Sequence, residues 1–377
     1  MNKSDTVYII GAGFNQCIRD WDGLNPPLSK NFFKTMLKSK KYNEDEYMNK
    51  MYPVFKYIKK YWKLDKNNLL KYEFDLQECF TFLQLQIMDA VGESRKKDAI
   101  ELLKINSMLK TMFVEFLSDF EKFSVFSQLM REFGLHIYNE KPTILTFNYD
   151  CNLEKIIEYV SGTCKNKEKM LYSNFNWNAA LSYGVNFDIV YPQHSNIEGH
   201  IEGEKYYGLS CNKLYDWKIL KLHGSLNWFK YIPVEKYDLN NIINSKNYKQ
   251  NTYEKIILAN ENWKFNDGFD LNRYIVEPLI ITPVIYKNYN QRIINKLWSE
   301  AKNSLLKCKK LIIIGYSFPS TDFAIRKLLI ESFQDNTLEN MIVVNPDISI
   351  VEKLKRLTHY DKPVLICSNL NEFLKRK

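Results

Sequence analysis

The stretch Val7-Tyr8-Ile9-Ile10-Gly11-Ala12-Gly13 decides the fold. Its first four residues are all apolar or aromatic, and three are β-branched, so they read as a strand. Continuous rather than alternating apolarity is what a strand needs when helices cover both of its faces. The two glycines that follow let the backbone turn tightly and approach a pyrophosphate, whose charge backbone N–H groups can meet. The same pair also serves as an ordinary tight turn. The full G-x-G-x-x-G pattern is incomplete, because Gln16 stands where the third glycine would be.

Outward from this stretch the same kind of run recurs. Thr143-Ile144-Leu145-Thr146, Ile219-Leu220-Lys221-Leu222, Leu279-Ile280-Ile281-Thr282, Leu311-Ile312-Ile313-Ile314, Met341-Ile342-Val343-Val344 and Val364-Leu365-Ile366 are short and largely apolar, and most end at small or polar residues. They predict an α/β fold with a Rossmann-like parallel sheet and helices on both faces. Residues 30–140 carry helical periodicity. In 99–117, Leu102, Ile105, Leu109, Met112 and Phe116 fall on one face at three- and four-residue steps. This stretch reads as a helical insertion after the first strand. Residues 160–218, with His194 and His200, and 230–276, with Trp263 and Phe265, read as loop-rich insertions. Residues 291–307, with Ile294, Leu297, Trp298, Ala301 and Leu305 inward, are expected to form a crossover helix between the 279–282 and 311–314 strands. No repeat or proline-rich linker divides residues 1–377, so one domain with insertions is expected.

Composition narrows the class. Hydrophobic residues make up 45% and aromatics 15%, which places the chain among folded globular proteins. The formal charge of +9 is spread over short clusters, so it reads as a solvated basic face rather than a nucleic-acid groove. Seven cysteines without a C-x-x-C pair or zinc-type spacing argue against a structural zinc module and for free thiols. The polar start and the lack of a run of about 18 apolar residues predict a cytoplasmic protein without a signal peptide or membrane span.

The strand ends carry the candidate chemistry, since ligands of open α/β sheets bind beyond the carboxyl ends of strands. Gly11, Ala12 and Gly13 come first. Asn148 and Asp150 follow the second run, where they could hold a sugar or an amide, or serve as turn and N-cap residues. His223 before Gly224 ends the third, where an imidazole can take a proton from a hydroxyl or fill a structural hydrogen-bonding role. Gly315-Tyr316-Ser317, followed by Pro319 and Asp322, and Asn345-Pro346-Asp347 end two later strands.

Taken in order, these five segments resemble the sirtuin-like family, in particular its bacterial antiphage-defence branch. The matching features are Gly11-Ala12-Gly13, Asn148 with Asp150, His223-Gly224, Gly315 with Ser317, and Asn345. The segment Gly23-Leu24-Asn25-Pro26-Pro27 is similar to the loop that family lays over the nicotinamide ribose. The resemblance covers about 5–30, 142–160, 218–232 and 278–368 and leaves the helical insertion aside.

Two features depart from the family: Asn15 stands where a serine usually follows the turn, and the four-cysteine zinc module is absent. The resemblance therefore implies NAD hydrolysis to nicotinamide and ADP-ribose rather than deacetylation. Asn148 and His223 would be catalytic; Gly11, Ala12, Gly13, Asn15, Pro26, Asp150, Gly315, Ser317 and Asn345 would bind NAD, with no metal and no cofactor beyond this substrate. It further implies a homo-oligomer, or control by a partner such as a HerA-type ATPase or another defence protein, with the helical insertion as the assembly surface. A non-hydrolytic NAD or ADP-ribose sensor that scaffolds a partner ATPase or nuclease is the alternative.

Overall fold

In the computed structural model the described residues are 5–167, 177–191, 200–209, 213–233, 255–259, 274–284, 287, 289, 291–319, 321–335 and 338–376. His194, Trp263 and Phe265 lie outside them. The strands are β1 (Thr6–Ile10), β2 (Thr143–Thr146), β3 (Ile189–Val190), β4 (Ile201–Glu202), β5 (Ile219–Lys221), β6 (Gly224–Pro233), β7 (Lys255–Leu258), β8 (Tyr274–Ile280), β9 (Lys310–Ile314), β10 (Asn340–Val344) and β11 (Leu365–Cys367).

Six of these make one wholly parallel sheet in the order β11-β10-β9-β1-β2-β5. Counted in chain order within this sheet and read from β5, that is the 3-2-1-4-5-6 arrangement of the doubly wound Rossmann-like fold. The expected class therefore stands. Val7, Ile9 and Ile10 are all 2% exposed or less. Burying each is worth about 1.5–3 kcal/mol, so continuous apolarity in the central strand is a requirement and not a bias. Helices Gln128–Glu140, Asn152–Lys167 and Leu370–Lys375 pack into one layer, and Arg292–Leu305, Phe323–Ser332 and Ile350–Thr358 into another.

Three expectations about the sheets and their connections are corrected. The run at 279–282 does not join the parallel sheet: Leu279 and Ile280 end β8, which pairs antiparallel with β6 in a second, five-stranded sheet of order β4-β3-β7-β6-β8. Helix Arg292–Leu305 consequently connects the second sheet to the first instead of closing a unit within one sheet. The segments 160–218 and 230–276 are likewise more than loops, since they supply β3, β4, β7 and parts of β6 and β8. Side chains on this sheet alternate: Trp228, Ile256 and Leu258 join the main core, while Phe229 and Ile257 form a satellite cluster with Ile189 and Ala259.

The insertion is also shorter than 30–140. Its own core, from Phe32 to Phe120, is built by helices between Phe32 and Glu121, with Leu109, Met112 and Phe116 buried as the periodicity required and Leu102 at the margin. Helix Gln128–Glu140 instead packs Met130, Phe133 and Ile137 into the sheet core. Phe113, Phe116, Phe120 and Phe123 are core residues, and Phe126 is 64% exposed. Among the described residues no helix is long and apolar enough to cross a membrane.

Candidate active site

The sheet reverses its winding between β1 and β9, and the turns after these two strands interlock. Gly11 N–H donates to the Ile314 carbonyl at 3.0 Å and Gly13 N–H to the Gly315 carbonyl at 2.9 Å. Gly315 has φ +62°, and a Cβ there would lie 2.3 Å from Phe14 N; one on Gly13 would lie 2.8 Å from the Gly315 Cα. Glycine is therefore demanded here by backbone meeting backbone. The resulting crevice is where dinucleotides sit in doubly wound sheets. Gln16, in place of a third glycine, donates to the Pro26 carbonyl at 2.8 Å, and Asn25 donates to the carbonyls of Gln16 and Ile18, so the 23–27 loop is tied to the first turn. Pro26 is buried, Ala12 exposed and Gly13 intermediate.

The turn after β2 joins this cluster. Asn148 Nδ2 donates to the Gly11 carbonyl at 3.1 Å, and Asn15 Nδ2 donates to Asp150 Oδ2 at 2.7 Å. Asn15 Oδ1 is buried without a hydrogen-bond partner. Asn148 and Asp150 are each 8% exposed. Beneath them lies a charged network: Lys221 Nζ donates to the Asp150 carbonyl and to Glu154 Oε1, and Glu121 Oε1 accepts from Cys151 N–H at 2.9 Å. Burial raises the pKa of Asp150 against the pull of Lys221, and pushes the Glu121 carboxyl up to about 7 against Lys155 and the Cys151 N–H.

His223 belongs to a second cluster. Gly224, with φ +81° and no room for a Cβ (2.1 Å from the Leu279 carbonyl), turns the chain from the parallel sheet into β6. His223 therefore stands at the corner between the sheets. Its Nε2 lies 3.3 Å from Lys287 Nζ and 3.7 Å from Asp322 Oδ2. Lys287 Nζ lies 2.9 Å from Asp322 Oδ1, and the Tyr316 hydroxyl donates to Asp322 Oδ2. Burial and then Lys287 lower the pKa of His223, so it is neutral at neutral pH, and a charged Lys287 makes its Nε2 the acceptor. Burial opposes the charge on Asp322, but His223, Lys287 and Tyr316 outweigh it and hold the carboxyl well below its usual range. The pKa of Lys287 falls because burial exceeds what Asp322 returns.

Aromatic rings hold the two clusters side by side. Phe147 stacks on Tyr316 at 4.4 Å and meets the His223 ring edge-on at 5.0 Å, while Tyr149 tilts against His223 at 6.0 Å. Asn148, lying between these two aromatics in sequence, directs its amide to the first turn. Asn345 spends its side chain locally: Nδ2 donates to the Tyr316 carbonyl and Oδ1 accepts from Asp347 N–H. Ser317 is exposed on the rim.

No protein-family model matches this chain, and no curated protein is significantly similar to it.

The structure thus brings Gly11, Gly13, Asn15, Asn148 and Asp150 together and sets His223 beside them. Sequence reasoning noted Tyr316 and Asp322 without assigning either a role and missed Lys287 and Tyr289, whose hydroxyl lies 3.4 Å from Asp322 Oδ1. Asp322 precedes a helix, where aspartate usually caps; here it makes no side-chain cap bond and faces the histidine instead. Lys287 falls in a stretch without periodicity, and nothing in the pattern marked it.

Proposed function

We propose that the chain is an NAD hydrolase releasing nicotinamide and ADP-ribose. The observation that carries this reading is the neutral His223 with Asp322 beside it, next to the interlocked Gly11–Gly13 and Gly315 turns at the reversal point of the sheet. In the reaction the bond from the nicotinamide nitrogen to the ribose carbon breaks and its electron pair leaves with nicotinamide. Water adds to the ribose carbon, and one proton passes to solvent. Positive charge grows on the ribose in the transition state, so groups that withhold positive charge from the ground-state site and accept a proton later favour it. His223, uncharged through burial and Lys287, can take that proton from a ribose hydroxyl or from the water at Nε2. Asp322 would stabilise the imidazolium formed, and Asn148 would orient the ribose or the water. The turns at Gly11–Gly13 and Gly315 would face the phosphates, with Asn345 and Ser317 toward the adenosine half.

Chromatography of NAD incubated with the full chain is the test. Nicotinamide should accumulate, and His223→Ala and Asn148→Ala should each remove at least ~99% of it, in line with the loss of a positioned general base. Activity surviving both substitutions would falsify the assignment. The second reading, a non-hydrolytic sensor of NAD or ADP-ribose, is favoured by one observation: the amides of Asn148 and Asn345 are already engaged within the protein. Saturable NAD binding with no nicotinamide formed would select it. A role in antiphage defence, with a homo-oligomer or an ATPase partner restraining the enzyme, rests on the family resemblance alone; co-purification with the products of neighbouring genes tests it.

A further inference from the structure

Helices Phe323–Ser332 and Ile350–Thr358 lie side by side and leave a groove of about 440 Å³ between them, lined by Arg326, Ile330, Ser349, Glu352, Lys353 and Arg356, with Leu357 at its base. Three cations thus face one carboxylate, with Asp347 close enough to act on Lys353. The cations are held apart from strong pairing: Arg326 lies over the exposed Phe323 ring at 5.4 Å, and burial together with repulsion from Arg326 lowers the pKa of Lys353. Like charges gathered around a cavity of this size raise the local concentration of anions. The volume is in the range of small-molecule sites.

The groove also touches the candidate active site through one bond. Lys353 Nζ donates to the carbonyl of Phe318, a wholly buried residue with φ +50°. Non-glycine residues keep that conformation only where their surroundings enforce it. The Phe318 ring packs edge-on against Tyr316 at 4.6 Å, and Tyr316 donates to Asp322. Lys353 therefore fastens the loop that carries Tyr316.

We propose that this cationic groove binds a phosphate-bearing small molecule, and that the bound phosphate draws Lys353 off the Phe318 carbonyl and loosens the 315–319 loop beside His223. The binding step is independent of whether NAD is cleaved.

Calorimetric titration of the full chain with sodium pyrophosphate at low ionic strength tests it. Saturable binding is expected, weakened at least tenfold in the Arg326→Glu, Arg356→Glu double variant. Absence of saturable binding, or equal binding in the charge-reversed chain, overturns the proposal, the latter because it would place the anion outside the groove, as at the candidate active site. Should the double variant not fold, Arg356→Gln, at an exposed position, is expected to weaken binding severalfold, and no change would count against the groove. Hydrogen exchange gives the coupling: amides of 316–318 should exchange faster with pyrophosphate present, and as fast without it in Lys353→Met. Exchange that stays the same in both cases overturns the link to the loop.

Discussion

Gly315 meets two demands at once, a left-handed φ of +62° and a backbone neighbour 2.3 Å from where a Cβ would stand. Either alone costs about 1–3 kcal/mol, and the overlap is with main chain that cannot rotate away. Gly315→Ala should therefore lower the thermal midpoint by several degrees, whereas Ser317→Ala on the exposed rim should leave it unchanged within error; calorimetry of both variants checks this. His223 supplies a second residue-scale expectation. Because Lys287 helps depress its pKa, the acid limb of kcat/KM for nicotinamide release should fall below pH 6.5, the ordinary histidine value. Removing the positive charge raises the histidine pKa, so Lys287→Met should move that limb to higher pH. An unmoved limb would mean that His223 is not the titrating base. The stability sign follows as well. A histidine depressed in the folded state contributes stability above pH 6.5 that is lost as pH falls from there through the folded pKa.

At the scale of elements, the contact between helix Lys96–Glu121 and the start of helix Asn152–Lys167 is a pH-sensitive joint. Glu121, the last residue of the first helix, accepts from Cys151 N–H, one residue before the second helix and next to Asp150. Its pKa is raised from 4.5 to about 7. The proton it holds contributes stability fully present below pH 4.5 and lost as pH rises through about 7. The difference in melting temperature between Glu121→Gln and the parent chain should accordingly shift in favour of the variant as pH rises from 5 to 8. A constant difference would remove the group from the pH response.

Legibility at this scale divided by surroundings. Strands β1, β2, β5, β9 and β10 were readable because they are buried on both faces, which makes their apolarity continuous. The second sheet was not, because one face meets the main core and the other only a small cluster, so its strands alternate within polar segments and resemble loops. The strand ends that carry Asn148 and His223 were legible for the same reason as their strands. Lys287 and the pairing role of Asp322 were not, since both depend on a corner between two sheets, where a local pattern of sequence says nothing about what faces what.

At the scale of the whole molecule, the two main cores of the described residues share a seam. The sheet core and the insertion core meet where Val284, Ile280 and Tyr149 pack, and Phe113 of the insertion meets Tyr149 edge-on at 5.1 Å. Tyr149 is the neighbour of Asn148, so the insertion buttresses the candidate site from behind. Phe113→Ala should destabilise by about 3–5 kcal/mol and, unlike a substitution confined to the far side of the insertion such as Val54→Ala, should also weaken nicotinamide release among the molecules that remain folded. Equal specific activity in the two variants would separate the insertion from the site.

The interlocked turns also place a constraint on time. Gly13 bonds to Gly315, and His223 faces Asp322, so both the first glycine turn and the histidine of the proposed catalytic arrangement wait on a partner made much later in translation. A chain still on the ribosome before residue 322 holds the histidine without its carboxylate and the first glycine turn without its mate. Contacts of such long sequence separation also close slowly, after local helices have formed. If the chain cleaves NAD as proposed, the same order of synthesis would keep that activity from arising on an unfinished chain.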